Sequence, residues 1–104
     1  MIIYFFNTRG FYIGFIENNI LFSRDGEYLG WLEGNIVWNI NGQYKGQLVD
    51  IGGNKYVLRN MFTISPLPRV SRVLPSPPAP PVPVSNIAPI SPPIGWEDVF
   101  NVTS

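Results

Sequence analysis

Four carboxylates recur at turn-proximal positions, Glu17, Asp25, Glu27 and Glu33, and they are the first residues to weigh as chemistry. A carboxylate pair that works as acid and base needs one member held in an apolar pocket, which raises its pKa. Nothing in their spacing supplies that pocket, and turn-proximal acids are the expected place for solvated charge. The chain has no histidine and no cysteine. The usual general base, the usual thiolate nucleophile and the soft metal ligands are therefore missing. No phosphate loop is present either, because Gly10 and Gly14 lie on a hairpin rather than between a strand and a helix. The expectation is a non-catalytic protein with no cofactor and no metal.

Two groups remain as candidate binding residues. Tyr12, Tyr28 and Tyr44 are spaced 16 residues apart. They could line an axis or a ligand site with their hydroxyls, or pack beside neighbouring strands. Near the C-terminus, Trp96, Val99 and Phe100 fall at i, i+3 and i+4, the apolar face of one helical turn, with Glu97 and Asp98 outside it. Acids at the start of such a turn suit the helix dipole. This segment, residues 94–104, either folds back onto its own domain or docks on another protein.

The elements that must position these residues follow from an internal repeat. Gly10, Gly26 and Gly42 share a 16-residue period with Gly14, Gly30 and Gly46. Phe6, Phe22 and Trp38 keep the same register, as do Ile16, Leu32 and Leu48. Each copy reads as strand, turn, strand, turn, with β-branched and aromatic residues between the turns. Asp25-Gly26 and Asn41-Gly42 predict type I′ turns, and Arg9-Gly10 predicts a type I turn with a glycine bulge. Asn18-Asn19, Gly34-Asn35 and the longer Asp50–Asn54 segment supply the second turns. Centred on these turns, Phe5 faces Gly14, Leu21 faces Gly30 and Val37 faces Gly46. Phe6 then faces Ile13, Phe22 faces Leu29 and Trp38 faces Lys45. A mid-strand glycine weakens a strand unless another backbone must come close, so strands crowding a shared axis are expected. A degenerate fourth copy is predicted at Lys55–Leu58 after a three-residue insertion, with Phe62–Ser65 as its return strand.

The units Phe6–Gly14, Phe22–Gly30 and Trp38–Gly46, each Phe/Trp followed by Gly-x-Tyr-x-Gly, resemble the four-fold beta flower family. The resemblance covers residues 2–66. It implies an all-β fold of about four β-hairpins in a closed or propeller-like arrangement, and it implies no particular activity.

All 11 prolines fall between Pro66 and Pro93, and every glycine except Gly95 precedes them. This composition divides the chain into a repeated β-hairpin domain (1–66), a proline-rich linker (67–93) and an amphipathic segment (94–104). The linker favours an extended polyproline helix of ~3.1 Å per residue. Arg72–Pro78 matches a basic-x-x-Pro-x-x-Pro ligand, a match any such tail produces. Asn101–Thr103 matches a glycosylation sequon. Seven basic residues balance seven acidic ones without a run of either sign, which argues against nucleic-acid and anionic-membrane partners. Without a signal-peptide pattern or cysteines the expected location is cytoplasmic. A core this small contributes roughly 3–5 kcal/mol, so homo-oligomerisation is an open route to added stability. The expected function is an interaction or scaffolding module with a tethered Trp/Phe docking segment. The alternative is a small-molecule or glycan binder that uses the repeat aromatics.

Overall fold

The computed structural model describes residues 2–62, 66–71 and 79–100. Its strands are β1 (Ile3–Phe6), β2 (Tyr12–Glu17), β3 (Ile20–Ser23), β4 (Tyr28–Glu33), β5 (Ile36–Trp38), β6 (Tyr44–Ile51), β7 (Asn54–Asn60) and β8 (Trp96–Asp98). Each strand pairs antiparallel with the next. A parallel pairing of Phe5 with Lys55 and Phe6 with Tyr56 joins β1 to β7, so seven strands close into a barrel and β8 adds to it.

The repeat columns explain the closure. Phe5, Leu21, Val37 and Val57 occupy equivalent places on β1, β3, β5 and β7 and meet in one buried cluster with Ile13 and Ile16. Beside each of the first three lies a column glycine: Phe5 pairs with Gly14, Leu21 with Gly30 and Val37 with Gly46. A Cβ on Gly14, Gly30 or Gly46 would run into the carbonyl oxygen of Phe22, Trp38 or Leu58. The three glycines thus meet the same feature, the first strand of the following hairpin, at a distance no side chain allows.

The turns differ from two of the three expectations. Gly10, Gly26 and Gly42 have φ of 91°, 89° and 82°. The only non-glycine residues with positive φ among those described are Asn18 and Asn19, so Asp25 and Asn41 do not form type I′ turns. All three turns adopt the arrangement expected for Arg9-Gly10 alone, with Gly10 N donating to Asn7 O and Asn7 N to Phe11 O, and likewise in the later copies. The reason is a column that sequence reading passed over, Asn7, Ser23 and Asn39. Asn7 Oδ1 accepts from Phe11 N, Ser23 Oγ from Asp25 N and Glu27 N, and Asn39 Oδ1 from Asn41 N and Gln43 N. A short polar side chain at the first turn position favours the type I form. The second turns are two-residue links, and the longer segment tightens to Gly52-Gly53 because Ile51 pairs with Asn54.

A β-bulge in each of the first three hairpins also shifts the expected pairs. Phe6 pairs with Tyr12, Phe22 with Tyr28 and Trp38 with Tyr44, not with Ile13, Leu29 and Lys45. The extra residue on the second strand brings each tyrosine level with the aromatic of its own hairpin.

In the fourth copy Val57 pairs with Leu48, as Val37 does with Leu32 and Leu21 with Ile16. Val57, 20 residues after Val37, is therefore its equivalent, and the insertion is four residues rather than three. The strand that completes this hairpin is β8, not the expected Phe62–Ser65. Phe62 lies in a turn, and residues 63–65 fall outside the described residues. Residues 61–95 stand where the other hairpins have a short turn, and Met61 N donates to Gly95 O at its base.

Candidate functional site

The C-terminal segment is a strand rather than a helical turn. Arg59 faces Glu97 and Asn60 faces Trp96 across the β7–β8 ladder. On that side of β7, β1 covers only Lys55 and Tyr56, which leaves the edge from Leu58 onward open. Unpaired backbone there outweighs the local helical pattern, because one isolated turn of helix is poorly stable by itself. The strand form also splits the predicted apolar face. Trp96 packs with the cluster of Phe6, Tyr12, Tyr56 and Leu58, whereas Val99 and Phe100 pack against the cluster around Phe5 and Val57. The Phe100 ring lies 6.0 Å from that of Phe5.

Asp98, expected outside the segment's apolar face, fastens the junction. Its Oδ1 accepts from Thr8 N at 2.9 Å and its Oδ2 from Thr8 Oγ1 at 2.6 Å, across 90 residues of sequence. Thr8 is buried, and its carbonyl accepts from Ile90 N. One threonine thus ties the first hairpin to both the proline-rich segment and β8. A Thr–Asp contact between distant segments has no local signature in the sequence.

Among the described residues each repeat tyrosine packs with the aromatic ring of its own hairpin. The Tyr12 ring sits 6.1 Å from Phe6, Tyr28 5.3 Å from Phe22, and Tyr44 6.1 Å from Trp38. Their hydroxyl oxygens are buried with no hydrogen-bond partner among the described residues. Burial pushes the Tyr12 phenol above its ordinary pKa; nearby Tyr4 adds to the rise and Arg24 opposes it.

The turn-proximal carboxylates take separate roles. Asp25 and Glu27 are exposed, while Glu33 pairs with Arg69 at 3.2 Å. The same Arg69 guanidinium lies 5.1 Å from the Trp38 ring centroid. Asp50, outside that group, bonds Lys55 at 2.8 Å. That hydrogen bond, with one from Gly53 N, holds the Asp50 carboxyl below the usual range.

Hydrogen bonds tie several described residues of the proline-rich segment to the barrel. Arg69 N donates to Gly42 O and Ile87 N to Gly10 O, and Tyr12 N donates to Asn86 Oδ1. The Arg72–Pro78 motif and the Asn101–Thr103 sequon lie outside the described residues.

A closed barrel of glycine-spaced hairpins, its last strand supplied from beyond a proline-rich segment, defines an all-β repeat protein with no membrane-crossing helix among its described residues. The chain belongs to the family described as 4-fold beta flower protein, whose model matches residues 3–98. The match extends past the residues 2–66 that carried the resemblance and takes in β8. No curated protein and no solved structure matches the chain.

Proposed function

We propose that this chain is a non-catalytic interaction module whose docking element is the C-terminal segment with Trp96, Val99 and Phe100. The observation that carries the reading is the attachment of β8. It is a three-residue strand at the end of the sheet, joined to β7 through residues 61–95 and held by side chains placed in two clusters. An element of that kind adds main-chain pairing for affinity and anchoring side chains for specificity. It engages its own barrel here, and the same contacts suit a partner that offers an open strand edge. Full-length protein carrying Trp96→Ala and Phe100→Ala should keep the far-ultraviolet spectrum of the barrel and lose partner or self binding by the segment. Retention of binding by the double variant would remove this reading.

One observation favours small-molecule or glycan binding by the repeat aromatics. The buried Tyr12, Tyr28 and Tyr44 hydroxyls lack protein partners among the described residues, so a ligand with hydrogen-bonding groups could satisfy them. Tyr44→Phe separates the possibilities. If the hydroxyl has no ligand, deleting it leaves stability unchanged or raises it by up to about 1 kcal/mol in thermal unfolding. A ligand-binding role predicts instead that ligand-induced stabilisation of the native protein falls in the variant.

A further inference from the structure

The proline-rich segment grips two equivalent turns of the barrel with the same backbone geometry. Ile87 N donates to Gly10 O at 2.8 Å, and Arg69 N donates to Gly42 O at 2.7 Å. In both turns the carbonyl of the gripping residue stands where a Cβ on the glycine would be, that of Ile87 at Gly10 and that of Arg69 at Gly42. Gly10 and Gly42 belong to one repeat column, so the first and third hairpins present the same main-chain site. The side chains that accompany the two grips differ in kind. Ile87 is half-buried and packs on the cluster of Phe6 and Tyr12. Arg69 meets the corresponding aromatic of the third hairpin, Trp38, with its guanidinium 5.1 Å from the ring centroid, and pairs with Glu33 at 3.2 Å.

Burial follows the same division. Val84, Ile87 and Ile90 all pack on the apolar cluster of the first hairpin, where Ile90 N donates to Thr8 O and Tyr12 N to Asn86 Oδ1. Residues 66–71 are all exposed, and Leu67 and Val70 keep 87% of their surface in water. No apolar burial offsets the entropy of ordering them. Among the described residues, the hydrogen bond, ion pair and ring contact that hold this stretch are all made by Arg69. The Arg69 and Glu33 side chains are 57% and 38% exposed, so dissolved ions reach the pair and screen it. Apolar packing at Ile87 has no charge to screen.

We infer that residues 66–71 form an ionic latch on the third hairpin, one that opens as salt rises while residues 84–90 stay seated on the first. Opening withdraws the guanidinium from the Trp38 ring and frees the Gly42 carbonyl. It leaves β8 in place, because β8 is tied through Thr8 and the β7 ladder. The latch therefore stands independently of the role proposed for Trp96 and Phe100.

Hydrogen exchange on the full chain reads both grips at once, through the Arg69 amide for one and the Ile87 and Ile90 amides for the other. Raising sodium chloride from about 0.01 M to about 1 M shortens the Debye length from ~30 Å to ~3 Å. Exchange at Arg69 should then accelerate about two- to five-fold, the span an exposed ion pair contributes, with Ile87 and Ile90 unchanged. Glu33→Gln should produce the same acceleration at low salt and abolish the salt response. Glu27→Gln removes an exposed acid from the turn of the second hairpin and should leave Arg69 exchange as it was. Exchange at Arg69 indifferent to salt would overturn the proposal. So would equal acceleration at all three amides, which would mean that the segment lifts as one unit, or a native salt response retained in Glu33→Gln. The salt titration needs no variant, and it decides alone if Glu33→Gln does not fold.

Discussion

At the scale of single residues, the column glycines decide how closely the hairpins approach. Gly30 has a carbonyl, that of Trp38, where its Cβ would be, and a carbonyl fixed in a strand ladder cannot yield as a flexible side chain would. Gly30→Ala should therefore cost about 3 kcal/mol or more, the upper end of what overpacking a close-packed interior costs. Gly34→Ala is an informative comparison. Its Cβ would meet open space, so it bears only the strain of φ 63°, about 1 kcal/mol. Denaturant unfolding of the two variants measures the difference; equal losses would show that close approach is not what these glycines serve.

At the scale of elements, one polar clamp adds to the ladder and the packing that hold β8. Thr8→Val keeps the shape of the side chain and removes the hydroxyl that donates to Asp98 Oδ2. The carboxylate then keeps the backbone amide and loses its second donor, a loss of about 2 kcal/mol for a charged partner. Thr8→Ser should recover most of it. Hydrogen exchange at the Val99 amide, which donates to Val57 O, reads the β8 attachment, and unchanged protection in Thr8→Val would show that water replaces the hydroxyl without cost. Much of the element plan was legible in the sequence. Gly14, Gly30 and Gly46 announced both the repeat and the close approach, and turn chemistry placed the first seven strands. The bulges were not legible, because Ile13, Leu29 and Lys45 differ too much in character to mark a shared unpaired position. Nor was β8, whose helical spacing is a local property while the open edge of β7 is a tertiary one. The packing of the proline-rich segment was illegible for the same reason. Val84, Ile87 and Ile90 recur every third residue, but the cluster of Phe6, Tyr12 and Tyr56 they pack on is assembled only by the fold.

At the scale of the whole molecule, Tyr12 contributes a pH dependence to stability at the alkaline end. Burial raises the folded-state pKa of its phenol, so the unfolded chain releases that proton first. The unfolded state then binds fewer protons than the native state, and the slope of stability against pH is negative. The contribution of the buried, neutral phenol is complete below the ordinary tyrosine pKa of about 10 and declines as pH rises past it. Melting temperatures between pH 9 and pH 11 should fall in the native protein, and less steeply in Tyr12→Phe. Parallel slopes in the two proteins would place the alkaline sensitivity elsewhere.

The bond between Thr8 and Asp98 has a consequence for the order in which the chain matures. During synthesis β1 to β7 emerge in succession, each able to pair with the strand before it, while the fourth hairpin waits for a strand encoded far downstream. Until residue 98 emerges, the edge of β7 beyond Tyr56 stays bare and Thr8 lacks its carboxylate. Contacts of such long sequence separation form slowly, so the nascent barrel passes through an interval in which this unpaired strand edge stays exposed before its own chain arrives to cover it.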